Sequence, residues 1–308
     1  MTQKQQKIIS AVLVSLAVVL GLQVLIYIVN LNQISIYIQL CFIFWFYLSL
    51  KITVFYDLHY KNLALAPKKQ GIVKWFERDV KSIFLASTSR LAHIFHWKYL
   101  RNWVNYLILP GFIFWSTAGL FYVNLGQTGL QQIFAVISSI ALILNFWYLK
   151  EAFLRKEAKV GHDIFSVLSA IKIYALALTF GMALALMRRF CEAPMLFTLG
   201  VFSFSFLFTY QSLFQANLLK VKTLLGVGLI ALIQASLAYF VYMYWGLNYF
   251  TAAVFQIAIY NFLWTCYHHY LEGNLTKKIF LENLFLTLII IVLVISNTNF
   301  KARILNAC

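Results

Sequence analysis

Apolar stretches of about 20 residues recur along the whole chain, with no strict alternation of apolar and polar positions. That length constrains the fold more than any motif. A helix needs about 20 residues to cross roughly 30 Å of hydrocarbon. In hydrocarbon every backbone N–H and C=O must be paired within the protein, so only helices or a closed barrel can cross. A barrel would read as alternating segments of about ten residues. The fold class expected is therefore all-α, a polytopic transmembrane helical bundle forming one integral membrane domain over 1–308.

Composition agrees. The chain is 62% hydrophobic and only 11% charged, against roughly 25% charged residues in soluble domains. So much apolar surface cannot be hidden in one globular core, and lipid is the expected solvent. The formal charge of +16 would suggest nucleic acid in a soluble protein. Here basic loops that set topology and touch anionic headgroups explain it, and no nucleic-acid partner is expected. The cysteines Cys41, Cys191, Cys266 and Cys308 lack CxxC spacing, and so indicate neither a zinc site nor a disulfide framework.

Nine spans are expected, over 8–29, 34–56, 103–123, 130–149, 164–187, 195–214, 223–245, 248–267 and 279–296. The first has no small-residue cleavage site and reads as an uncleaved span. Pro110 and Gly111 predict a kink in the third. With the N-terminus inside, segments 1–7, 57–102, 150–163, 215–222 and 268–278 lie inside, all rich in Lys and Arg. Segments 30–33, 124–129 and 246–248 lie outside and carry no charge. This alternation follows the positive-inside rule. Arg188, Arg189, Lys301 and Arg303 run against it. The plasma membrane of a bacterium is the expected location.

Segment 57–102 is polar, yet from Gly71 it has helical apolar spacing at Ile72, Phe76, Val80, Ile83, Leu91 and Phe95. Lys74, Arg78, Lys81 and Arg90 occupy other faces. The expectation is an amphipathic helix in the headgroup plane on the inside. Through 71–101 it would meet membrane lipids, an anionic leaflet or a protein partner.

All six histidines fall in inside segments: His59, His93, His96, His162, His268 and His269. Histidine is tolerated at interfaces, and it is also the commonest metal ligand. His93 and His96 are three apart and share one face of a helix. His268 and His269 point about 100° apart on a helix, so only one should join a given site unless the helix ends there. The candidate metal ligands are His93, His96, His162, His268 and His269, for an unidentified transition metal.

Asn261, Thr265, His268 and Glu272 form one polar stripe, expected to face the bundle if the helix reaches Glu272. Lys172 and Glu282 are the other charges within spans, costly there and candidate functional groups. Lys172 shares a stripe with Ser166, Ser169 and Thr179, and its expected partner is Glu272 or Glu282. Asn274–Thr276 is a glycosylation triplet, unused if it lies inside.

HIFH at 93–96, GHD at 161–163 and YHHYLEG at 267–273 loosely resemble the histidine groups of membrane desaturases and hydroxylases, which would imply iron at the cytoplasmic face. The HxxxH and HxxHH boxes of those families do not occur here, so no family is assigned. Three functions remain open. The leading one is a non-catalytic membrane subunit, scaffold or assembly factor docking through 71–101. The second is a lipid-phase enzyme at the cytoplasmic face, with those histidines as ligands or base and Glu272 as ligand or proton acceptor. The third is a small-solute or lipid transporter using Lys172, Glu272 and Glu282. The candidate catalytic residues are His268, Glu272, Lys172 and Glu282.

Overall fold

A computed structural model describes residues 3–60, 97–154, 162–190, 193–216, 218–245 and 248–298, with positions 73, 77 and 81 besides. Among these residues the chain is all helical, with no strand. Nine helices follow in order: α1 Gln3–Asn30, α2 Ile34–Tyr60, α3 Trp97–Val123, α4 Thr128–Leu154, α5 His162–Arg189, α6 Pro194–Gln215, α7 Thr223–Tyr244, α8 Tyr249–Glu272 and α9 Lys277–Ser296. Six of them are long and apolar enough to cross a membrane: α1, α4, α5, α6, α7 and α9. Of α2 and α3, the stretches with described side chains, Ile34–Leu50 and Leu107–Val123, are apolar too. Helix α8 reaches neither class. Its amides, histidines and Glu272 lower its hydropathy, and it is the helix that carries the candidate site. Of segment 71–96 only Val73, Glu77 and Lys81 are described, all helical and exposed. His93 and His96 lie outside the described residues.

Contacts gather the chain into two compact units, Met1–Ile171 and Lys172–Cys308. In the first, α4 packs on α1 and α3, and α2 packs on both of its neighbours in sequence. Polar side chains join these helices where no hydrophobic force distinguishes helix from lipid. Gln23 and Gln132 exchange amide hydrogen bonds at 2.8 and 2.9 Å. Thr117 and Ser138 hydroxyls meet at 2.6 Å. Tyr37 donates to the Ala118 carbonyl at 2.6 Å. Helix α3 runs through Pro110. Beside it, Gly111 lets the Trp45 ring close in, since a Cβ there would stand 3.2 Å from it.

In the second unit α6 and α7 form the most extensive pair, followed by α8 on α9 and α7 on α8. The part of α5 from Lys172 onward reaches α8 at Gly181, where Tyr249 and Ala253 lie close by. Asn248 caps α8, its side-chain oxygen accepting from the N–H groups of Phe250 and Thr251. Helix α9 is almost wholly uncovered, with only Thr287 and Val294 buried, and Phe280 meets Phe262 of α8 edge-on.

Candidate functional site

Helix α8 continues to Glu272 and ends in a sequence-encoded turn. Gly273 adopts φ 72°, the left-handed region that favours glycine. Its N–H bonds Tyr270 O at 3.1 Å, and the N–H of Asn274 bonds His269 O at 3.1 Å. This is the Schellman pattern, and it folds Asn274 back over the last turn of the helix.

Three potential metal ligands converge there. Donor atoms of His268, His269 and Glu272 all lie within 4.8 Å of one another. His268 Nε2 stands 3.4 Å from Glu272 Oε1. The adjacent histidines, whose ring planes are 78° apart, join one group because Glu272 is four residues from one and three from the other. A single carboxylate therefore lies over both. Asn274 Nδ2 donates to Glu272 Oε2 at 3.1 Å, and Asn274 Oδ1 faces His269 Nδ1 at 2.8 Å. A carboxylate only accepts, so the amide oxygen is left to accept from His269, which then carries its proton on Nδ1.

The group is partly wet. The His268 side chain is 28% exposed and that of Glu272 39%. Burial pushes His268 below the ordinary imidazole range; the Glu272 carboxylate opposes this, while the His269 ring and the Lys172 ammonium add to it. His268 is thus held toward its neutral, ligating form.

A second polar set lies inside the same unit. Thr209 of α6 and Tyr260 of α8 share a hydrogen bond at 3.0 Å. Lys172 donates to Ser212 of α6 at 3.1 Å. Ser205, Gln234 and Gln256 are all buried. Among the described residues, Ser205 Oγ, both amide atoms of Gln234 and Gln256 Nε2 find no hydrogen-bond partner. Helix register sets their depth. Tyr267 lies against Gly226 and donates to Thr223 O, which fixes α8 against α7. Gln234, eight residues beyond Gly226 on the antiparallel neighbour, is then level with Tyr260. Ser205 and Gln256 each sit one turn before the bonded pair Thr209 and Tyr260. Buried polar groups thus collect within about one helical turn of each other on α6, α7 and α8. In the first unit, Asn145 is similarly buried without a partner among the described residues.

Several expectations are corrected. Lys172 pairs with the Ser212 hydroxyl, and neither Glu272 nor Glu282 reaches it. Glu282 faces outward and lies 3.9 Å from Lys278, both exposed, because i, i+4 neighbours on a bare helix find each other first. The stripe Asn261, Thr265, His268 and Glu272 flanks the packed seam; its first three members are half-buried and Glu272 is exposed. The seam itself uses Ala253, Gln256, Tyr260 and Tyr267 of α8. His59 and His162 belong to α2 and α5, but their side chains are outside the described set. Sequence reasoning set Asn274 aside and missed Ser205, Ser212, Gln234 and Gln256. For the two glutamines the signal was present: an amide in the middle of an apolar helix.

The fold defines a helical membrane protein. No family model, curated protein or solved structure matches the chain.

Proposed function

We propose that the chain carries a small anion across the membrane through the unit that begins at Lys172. The observation that carries this reading is the buried amide of Gln234, unpartnered at both atoms among the described residues. A buried polar atom without a partner costs about 1–3 kcal/mol. A helix that keeps such a group needs a reason, and a polar solute passing that depth supplies one. Gln256 and Ser205 add unpaired atoms of the same kind. Lys172 gives the sign: among the described residues its ammonium is held by a neutral hydroxyl, with no carboxylate neutralising it, so it favours an anion.

Nine spans with the N-terminus inside, in the plasma membrane of a bacterium, complete the reading. The basic loops and the helix order support the spans and their orientation. The test is flux into sealed proteoliposomes, with chloride followed by a trapped chloride-quenched dye and succinate by radiolabel. At least one should enter faster than in protein-free vesicles. Lys172→Met should lower that rate by roughly tenfold or more, the loss that about 1.4 kcal/mol of binding would give. Equal rates with and without protein for both anions would overturn the proposal.

A second reading, a non-catalytic subunit or assembly factor, draws on α9. Its apolar side chains are almost entirely uncovered, as on a helix that a partner's helix covers. Co-purification of a stoichiometric partner, lost when Phe285 and Val292 are changed to Ala, would favour it.

A further inference from the structure

We infer that His268, His269 and Glu272 form a binding site for a divalent transition-metal ion, Zn2+ being the closest chemical fit, at the C-terminal end of α8. The inference stands apart from anion transport and needs none of the buried polar set.

The donor set is of the right kind. Two imidazoles and a carboxylate, with a fourth position open to water, is a common arrangement for zinc. Ligands about 2.0–2.1 Å from a tetrahedral ion stand roughly 3.3 Å apart along an edge. His268 Nε2 and Glu272 Oε1 already stand at 3.4 Å. The third donor, a ring nitrogen of the half-buried His269, is within 4.8 Å of both.

The surrounding contacts favour the ligating forms. Asn274 accepts from His269 Nδ1, which leaves His269 Nε2 unprotonated and free to bind. The same amide donates to Glu272 Oε2, which leaves Oε1, the oxygen nearest His268, for the ion. Ligating histidines regularly donate their second ring nitrogen to a carbonyl in this way. The helix end helps as well, since the partial negative charge of the last carbonyls attracts a cation. Lys172 opposes the ion's charge from within electrostatic reach of His268, while the exposed Glu272 carboxylate offsets it.

The test uses tag-free full-length protein in detergent, loaded with Zn2+ and desalted, with metal counted by mass spectrometry. Wild type should retain about one ion per chain, and Co2+ in its place should give the visible bands of a four-coordinate site. A variant with His59, His93, His96 and His162 changed to Asn should retain the ion. His268→Ala and Glu272→Ala should lose it, and Asn274→Ala should weaken binding roughly 10–100-fold. Should a ligand variant fail to fold, diethylpyrocarbonate labelling of wild type decides. Zn2+ should protect His268 and His269 from the reagent. No retained ion in wild type, retention in His268→Ala, or unprotected labelling of His268 and His269 would each overturn the site.

Discussion

At the scale of the residue, two glycines on α7 separate what a sequence conveys from what packing decides. Gly226 and Gly228 look alike in the run LLGVGLI. A Cβ at Gly226 would collide with the Tyr267 ring and hydroxyl, whereas one at Gly228 meets nothing within 4 Å. Gly226→Ala must push the ring aside and break its 2.8 Å bond to Thr223 O. We expect a loss of about 1–3 kcal/mol. Gly228→Ala should gain about 0.5–1 kcal/mol through lower backbone entropy in the unfolded chain. Thermal unfolding of the two variants in detergent checks this, and equal midpoints would refute the Tyr267 contact. The candidate site divides in the same way. His268 and Glu272 were legible because four-residue spacing puts them on one helix face. Asn274 was not, because its role depends on a left-handed Gly273 that turns the chain back. Lys172 was misassigned because a lysine suggests an acid, while the nearest acceptor was a hydroxyl 40 residues away.

At the scale of the element, nine apolar runs become nine helices, each starting and ending within a few residues of the expected limits except where α2 and α3 extend into 57–102. Length and apolarity suffice for this, since hydrocarbon leaves the backbone no alternative. Which helices are covered was not legible. Helix α9 is the most apolar stretch apart from α1, yet it is nearly bare, and α8 is less apolar yet tightly seated at Ala252, Ala253 and Ala258. Small residues bring helices together where large apolar ones serve lipid equally well. The buried amides follow the same logic. Gln234→Leu replaces an unpartnered amide with an apolar group of similar size, so it should stabilise α7 in place by about 1–3 kcal/mol. Flux, by contrast, should fall. A lower unfolding midpoint would mean that the amide is engaged, and the transport reading would lose its main support. On α9, Lys278→Ala should change stability by less than about 0.5 kcal/mol, because its pair with Glu282 is exposed.

At the scale of the whole molecule, sidedness is the property the sequence states through its charges, and the geometry of the second unit bears on it. Tyr267 reaches Thr223, so the end of α8 and the start of α7 share one end of that unit. Lys220, Lys222, His268, His269, Lys277 and Lys278 therefore gather at one end, as a cytoplasmic assignment requires. The start of α6 and the α7–α8 connection form the other end. Arg188 is there, against the charge rule, and the structure gives the reason. Its guanidinium donates to the Trp245 carbonyl at 2.7 Å, satisfying an acceptor at the end of α7 where a cation is favoured. A charge held by a helix end is not free to set topology, so Arg188 does not weigh against the assignment. Single cysteines at Leu275 and Met195, introduced after Cys41, Cys191, Cys266 and Cys308 are changed to Ser, test it. In sealed inside-out vesicles a membrane-impermeant maleimide should label Leu275→Cys and spare Met195→Cys, and right-side-out vesicles should reverse the pattern. Both positions are exposed, so protection reports the membrane and not burial. If one side labels both, the unit does not cross the bilayer as drawn. A metal site at the end of α8 and a polar seam below it would then open to the same compartment, and passage through the seam would have no second side to reach.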